Sequence, residues 1–232
     1  MMTNTEILAR LRGRLQGVNE RILAACGRAD RSRTEITLVA VTKTVGDRVA
    51  GLLPELGVTN LGENRPQELW RKAEVLKGLP IRWHMIGHLQ RNKVERTLPL
   101  VQLTHAVDSE RLLEEIDSQA KKRGVSAPVL LEVNVSRESN KLGFAPGEVA
   151  SVLAKLDRFT HVEVQGLMTM AAYSEDPEQA RPGFKELFQL RQFAQLPQLS
   201  MGMSNDFEIA VEEGATLIRL GTVLFEGLEE VD

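Results

Sequence analysis

The chain has 232 residues, of which 42% are hydrophobic and 26% charged, a composition typical of a globular domain that can bury its own core. The net charge of −3 and the pI near 5.9 give no general attraction to nucleic acid or to anionic membranes. A single cysteine, Cys26, excludes an internal disulfide framework and a cysteine-rich zinc site. Since the sequence shows neither a signal-peptide core nor a membrane-length apolar run, we expect a reducing, cytoplasmic location.

A helix is predicted at the start of the chain, within residues 1–30. Thr5 is its candidate N-cap, and apolar residues follow at spacings of three and four, at Leu8, Leu11, Leu15, Val18 and Ile22. This stripe could form a coiled-coil seam, but it is short, so we expect it to pack on the body of the domain. Cys26 shares the apolar face and is expected to be a packed thiol.

After this helix, strand and helix patterns alternate. Apolar runs typical of buried strands occupy residues 36–42, 58–61, 81–86, 101–107, 128–135, 162–168, 199–203 and 215–220. Helical patterns separate them at residues 47–57, 65–77, 89–98, 109–122, 146–157, 178–195 and 206–213. Repeated βα units require a parallel sheet, and eight of them favour one (β/α)8 TIM-type barrel domain over residues 1–232. No GxGxxG follows the first strand, which argues against a dinucleotide fold.

Polar and glycine-rich segments follow these strands, where a barrel of this type carries its chemistry. Ser204 follows the seventh strand, and Gly221 and Thr222 follow the eighth. Loops at these two positions, with a helix N-terminus, often hold phosphate. A plain N-cap explains Ser204 alone and a plain turn explains Gly221 alone, but their joint position favours a phosphate site.

Lys43 ends the first strand, in the segment ITLVAVTKTVG. Desolvation at a barrel mouth would lower the pKa of its amine and allow a Schiff base with an aldehyde. A phosphate site with such a lysine fits pyridoxal 5′-phosphate (PLP), and Arg219 is placed to meet the pyridine nitrogen. The alternatives are a strand-end lysine that reaches solvent and a sugar-phosphate aldolase.

The sequence resembles the pyridoxal phosphate homeostasis protein family, relatives of the N-terminal barrel of alanine racemase. The resemblance covers nearly the whole chain, in the segments LVAVTKT, LGENRPQE, WHMIGHLQRNK, HAVDS, VNVSRESNKLGF, VQGLMTM and LSMGMSNDFEIAVEEGATLIRLGTVLFEG. The sequence departs from the family at Pro66, which can serve as a first helical residue.

The resemblance implies a role for each matching residue. Lys43 stands at the cofactor lysine, and Arg219 faces the pyridine nitrogen. Ser204, Gly221 and Thr222 match the phosphate cradle, to which Ser200 and Met201 could add. Asn64 and His84 stand where the family lines the ring. Met168 and Met203 could pack nearby, although core filling explains the two methionines equally well.

We expect a protein that binds PLP without robust catalysis, and we assign no catalytic residue. Arg219 favours an unprotonated ring, a weaker electron sink, and the related racemases draw a catalytic tyrosine from a second domain. The only tyrosine here, Tyr173, is expected at the barrel lip or surface. The alternatives are a small racemase or decarboxylase, or an interaction module that senses the cofactor. PLP-dependent apoenzymes are candidate partners for a monomer or weak homodimer, and four histidines without paired spacing predict no metal site.

Overall fold

Eight parallel strands close into a barrel in which each strand pairs with its neighbours in the sequence and the last pairs with the first. The computed structural model describes residues 2–138, 142–172 and 174–228, so the prediction for Tyr173 lies outside the described residues. The strands are β1 (Thr37–Val41), β2 (Asn60–Glu63), β3 (Arg82–Met85), β4 (Val101–Val107), β5 (Ala127–Glu132), β6 (Val162–Met168), β7 (Gln198–Ser200) and β8 (Leu217–Leu220). The α-helices within the described residues are α1 (Asn4–Arg28), α2 (Asp47–Leu52), α3 (Pro66–Val75), α4 (Arg91–Thr97), α5 (Glu110–Arg123), α6 (Val149–Leu153), α7 (Arg181–Ala194), α8 (Phe207–Glu212) and α9 (Thr222–Phe225). The predicted (β/α)8 TIM-type barrel with an added N-terminal helix is confirmed.

Two predicted elements, a strand and a helix, are shorter in the structure, because helical turns of other types occupy some of their residues. The predicted strand at 58–61 begins only at Asn60, since the Val58 N–H still donates to the Leu53 carbonyl oxygen at 3.1 Å. Gly57 ends that turn with a φ of 77°, a conformation that glycine adopts without strain. The predicted helix at 146–157 is α6 alone, flanked by 3₁₀ turns at its two ends. Pro66 begins α3, as expected for a proline at the first helical position.

The N-cap of helix α1 lies two residues before the predicted one. The prediction of Thr5 as N-cap is wrong, because Thr3 and Glu6 form a capping box. The Glu6 N–H donates to the Thr3 hydroxyl at 3.3 Å, and the Thr3 N–H donates to the Glu6 carboxylate at 2.6 Å. The apolar face of α1, including Ile7 and Leu11, is fully buried in the main hydrophobic core. Helix α1 therefore packs on the barrel, beside α8 and α9.

Strand alternation separates two apolar layers. A small cluster of strand residues fills the barrel interior, at Val39, Val41, Leu103, Leu130, Met168 and Leu217 together with Ile86 and Ala106. A larger cluster lies between the barrel and its helices. Since alternate residues of a strand share a face, Arg219 on β8, His105 on β4 and Glu132 on β5 also point inwards. The barrel interior therefore contains charged and polar side chains among apolar ones.

Candidate functional site

Lys43 lies two residues beyond β1, at the carboxyl end of the barrel. It lines a cavity of about 540 Å³ formed by the segment 43–48 and Arg71. The side chain is exposed, and no described residue forms a hydrogen bond or ion pair with its amine. The desolvation that we expected for this amine is therefore not present in the structure, whereas its position at the strand end agrees with the prediction.

A buried ion pair lies beneath the loop that carries Lys43. The Lys72 ammonium, on α3, is 2.6 Å from the Glu63 carboxylate at the end of β2, and the two side chains are 2% and 0% exposed. The same ammonium donates to the carbonyl oxygens of Thr42 at 2.7 Å and Val45 at 2.8 Å. The Thr42 hydroxyl donates to Glu63 at 2.6 Å. Lys72 and Glu63 therefore fix the backbone on both sides of Lys43.

Sequence reasoning did not identify this pair as part of the site. The available signal was the position of Lys72 three residues after Leu69, which places a lysine on the apolar face of α3. A charged residue on such a face is almost never buried without a partner. The sequence could not show which carboxylate supplies that partner, because β2 and α3 meet only in the folded barrel.

The three predicted phosphate contacts lie at the neighbouring strand ends. Gly221 is the N-cap of α9, and the Ser204 hydroxyl accepts the Val223 N–H at 3.3 Å, so the loop after β7 meets the start of α9. Thr222 is exposed beside them. A Cβ on Gly221 would approach the Val41 carbonyl oxygen to 3.3 Å, which shows how closely the β8 loop passes the end of β1. The structure brings these three residues together.

A chain of hydrogen bonds crosses the barrel interior behind this loop. Arg219 donates to the Ser200 hydroxyl at 2.5 Å and to the Thr169 carbonyl oxygen at 2.9 Å. Ser200 is 2.8 Å from Nδ1 of His105, whose Nε2 is 2.9 Å from Nδ1 of His84. This chain corrects the prediction that the Ser200 hydroxyl adds to the phosphate cradle. The β7 alternation points that side chain inwards, where it is fully buried and bound to Arg219 and His105.

With both imidazoles neutral, the direction of every bond in this chain is fixed. The Asn60 amide oxygen only accepts, so His84 donates from Nε2 at 3.1 Å and its Nδ1 accepts from Nε2 of His105. Nδ1 of His105 then accepts the Ser200 hydroxyl proton, while the Ser200 oxygen accepts from Arg219, which only donates. Each neutral imidazole therefore carries its proton on Nε2.

Burial keeps the two histidines neutral at pH 7. Burial and, to a smaller extent, Arg82 lower the pKa of His84 to about 4. Burial, followed by His84 and Arg219, also lowers the pKa of His105 well below its ordinary value. Burial lowers the pKa of Arg219 to about 10, so the guanidinium remains charged at neutral pH. The barrel interior therefore holds one fixed positive charge, Arg219, on a chain of neutral groups.

Asn64 and the methionines complete the predicted set. Asn64 is half-buried at the end of β2, and a Cβ on Gly87 would lie 2.4 Å from its carbonyl oxygen, so the ends of β2 and β3 are in close contact. Met168 belongs to the interior cluster, as core filling predicts. Met201, which was predicted to add to the phosphate cradle, has its side chain fully buried in the outer core. Met203 is partly exposed and lines a cavity at the barrel mouth.

This mouth cavity has a volume of about 390 Å³. Residues after β3, β5, β6 and β7 line it, and they are His88, Glu132, Val133, Asn134, Leu142, Met170, Ala171 and Met203. Burial raises the pKa of Glu132, and nearby Asp108 raises it further, while Arg219 and His88 act in the opposite direction. Nδ1 of His88 is 2.7 Å from the Asp108 carboxylate. Sequence reasoning missed Glu132, although an acidic residue at an interior strand position is a usable signal.

Neither a metal site nor a membrane-spanning helix is found in the part of the chain that the structure describes. No group of three or more His, Cys, Asp or Glu side chains is arranged to hold a metal ion there. In the same residues, no helix is both long and apolar enough to cross a bilayer.

Comparison with known proteins identifies the relatives of this chain. The sequence profile described as "Alanine racemase, N-terminal domain" matches residues 21–229. The Pyridoxal phosphate homeostasis protein of Aquifex aeolicus (strain VF5) is 44% identical over 218 residues, which cover 91% of this chain and 96% of that protein. A crystal structure of an unknown protein from Bifidobacterium adolescentis has a TM-score of 0.89 at 34% identity and covers 97% of this chain and 98% of its own. The structure of PipY from Synechococcus elongatus PCC7942 with PLP bound has a TM-score of 0.78 at 31% identity, and the match covers 93% of this chain and 99% of the PipY chain.

Proposed function

Because the chain belongs to the family of the pyridoxal phosphate homeostasis proteins, with the barrel of the alanine racemase N-terminal domain, we propose that it binds PLP and acts in PLP homeostasis. The cofactor is held as a Schiff base with Lys43, and the protein carries, buffers or delivers it in the cytoplasm. One observation supports this most strongly: β1 pairs with β8, so Lys43 and the Ser204–Gly221–Thr222 loops lie at adjacent strand ends.

The donor set around these strand ends fits PLP. Backbone N–H groups at Gly221 and Thr222, with the Ser204 hydroxyl, suit a phosphate group. Arg219 has five N–H donors and uses two for Ser200 and Thr169, which leaves others for a pyridine nitrogen. When bound, PLP supplies an aldehyde that condenses with a primary amine. Asn64 and His84 would line the ring of the bound cofactor, and Met203 lies at the mouth of the barrel.

The state of Arg219 supports a binding role over an enzymatic one. With a pKa of about 10, the guanidinium keeps its protons at pH 7 and does not protonate the ring nitrogen. An unprotonated ring is a weaker electron sink for reactions at an amino acid Cα. We propose that the protein is not a robust enzyme, that PLP-dependent apoenzymes receive its cofactor, and that it is a monomer or weak homodimer.

The assignment of Lys43 is tested by the visible absorption of the protein after PLP is added. Lys43→Ala should abolish the absorption band of the Schiff base, while Lys77→Ala, at an exposed lysine on the surface, should leave it unchanged. Equal bands in both variants would overturn the assignment.

A second candidate function is a small PLP-dependent racemase or decarboxylase. The His88–Asp108 pair and Glu132 favour it, because they place titratable groups at the barrel mouth. Exchange of the amino acid Cα proton with deuterated solvent, measured across the common amino acids, separates the two. We expect exchange far slower than the turnover of about 1 s⁻¹ or more that an ordinary enzyme shows.

A further inference from the structure

The mouth cavity contains a buried carboxylate that the proposed cofactor contacts do not use. Glu132 is 5% exposed and shares the inward face of β5 with Leu130. Its backbone carbonyl accepts the Phe144 N–H at 2.8 Å, but no described residue forms a hydrogen bond or ion pair with its carboxylate. A buried carboxylate without a direct partner is strongly unfavourable. Arg219 and His88 favour its charged form only from a distance, so a cation in the cavity would form the direct contact that the described residues do not provide.

The walls of the cavity define the shape of a ligand that could bring this charge. Most of the lining is apolar, from Val133, Leu142, Met170, Ala171 and Met203. Leu142 and Met170 are 51% and 41% exposed, so apolar surface of the cavity is open to solvent, whereas Glu132 is 5% exposed. An apolar cavity with a buried carboxylate in its wall is complementary to a cation at the end of an alkyl chain.

We propose that this cavity binds a primary ammonium group on an apolar stem, an alkylamine or a lysyl side chain, with Glu132 as the counter-charge. The site itself does not depend on the cofactor. If PLP is held as proposed above, the bound amine lies at the same barrel mouth as the cofactor. An amine that accepts PLP from the protein would occupy this position.

The same residues disfavour a free α-amino acid. In such an amino acid the carboxylate is attached to the same carbon as the ammonium group. If the ammonium group bound Glu132, this carboxylate would therefore lie close to the carboxylates of both Glu132 and Asp108. His88 is the only basic side chain among the described lining residues, and its Nδ1 already lies 2.7 Å from the Asp108 carboxylate. The cavity therefore selects amines that carry no neighbouring carboxylate.

Calorimetric titration of the full-length Lys43→Ala protein tests the site without interference from imine formation. The probes are n-pentylamine, Nα-acetyl-lysine amide, the neutral isostere n-pentanol and the amino acid norleucine. Both amines should bind at least about tenfold more tightly than pentanol and norleucine, because a hydrogen-bonded charge pair is then formed. Glu132→Gln should remove this preference, while the exposed Glu74→Gln should retain it.

A second variant guards against a general effect of Glu132→Gln on folding. Met170→Ser, at the half-exposed rim, should weaken pentylamine more than methylamine, because only the longer stem contacts the wall. Equal affinity for pentylamine and pentanol, or unchanged amine binding in Glu132→Gln, would overturn the proposal. Binding of pentylamine without the lysine derivative would assign the site to free amines and not to lysyl side chains. Because these titrations do not involve Lys43, their failure leaves the Schiff-base proposal untouched.

Discussion

Replacement of Lys72 by methionine should be among the most destabilising single changes in this protein. The substitution keeps most of the side-chain volume but leaves Glu63 charged, fully buried and without its cation. Breaking a buried ion pair from one side costs about 3–5 kcal/mol. The carbonyl oxygens of Thr42 and Val45 also lose a charged donor. Since one oxygen of Glu63, Oε2, already lacks a hydrogen-bond partner, little compensation is available nearby. We therefore expect a loss of about 4 kcal/mol, a large share of a typical stability of about 5–15 kcal/mol.

Urea unfolding, followed by circular dichroism, measures this loss. Lys77→Met is the matched control, because Lys77 is exposed on the surface, and it should change the free energy of unfolding by less than about 0.5 kcal/mol. The double variant Lys72→Met with Glu63→Gln should recover at least about 2 kcal/mol, since no net charge is then buried. A loss below about 1 kcal/mol in Lys72→Met alone would refute the reasoning, because the ion pair would then not hold the Lys43 loop.

Three further predictions concern the phosphate loop, the barrel interior and the contact between β2 and β3. Ser204→Ala with Thr222→Ala should weaken retention of PLP during dialysis without preventing imine formation at high PLP concentration, and unchanged retention would show that the phosphate cradle is wrongly placed. Since the pKa of His84 falls from 6.5 to about 4 on folding, the unfolded chain binds a proton first as the pH drops, so stability is full above pH 6.5 and declines towards pH 4. At about 1.4 kcal/mol per pH unit, His84 removes about 2 kcal/mol between pH 6.5 and 5, and unfolding of His84→Gln over the same pH range should show a shallower decline. Gly87→Ala should reduce the free energy of unfolding by about 2 kcal/mol, because its Cβ would lie 2.4 Å from the Asn64 carbonyl oxygen, and a thermal melt identical to that of the parent would contradict this contact.

The elements that recur along the chain were predictable, because each reflects a local pattern. Eight apolar runs separated by helical spacings are sufficient to predict the (β/α)8 barrel. The rule that barrel chemistry lies at the carboxyl ends of strands then places Lys43, Ser204 and Gly221 at one end of the molecule. The family resemblance is confirmed by the similarity to curated relatives over most of the chain.

Features that depend on side-chain direction or on distant contacts were not predictable in the same way. Ser200 lies near the start of the predicted strand at 199–203, and the register of that strand turns its hydroxyl into the interior towards Arg219. The exposure of Lys43 depends on how its loop leaves the barrel, which a strand pattern does not describe. The partner of Lys72 lies nine residues earlier, on another element, so the pair forms only after β2 and α3 have packed together.

The buried chain from Arg219 to Asn60 shows a third limit. Each member is an ordinary polar residue in the sequence, and His105 alone could equally be a structural histidine. Their roles depend on the order of the bonds, because once burial holds both imidazoles neutral, the acceptor Asn60 at one end fixes the position of every proton along the chain. Only three-dimensional proximity within the barrel brings β2, β3, β4, β7 and β8 together in this order.

Borohydride reduction of the PLP-loaded protein, followed by peptide mass spectrometry, tests whether Lys43 carries the cofactor. Reduction converts a Schiff base into a stable secondary amine, so the adduct marks the lysine that carries the cofactor. We predict one dominant adduct, on the peptide that contains Lys43. An adduct on a different lysine, or no adduct after loading with excess PLP, would contradict the proposed Schiff base with Lys43.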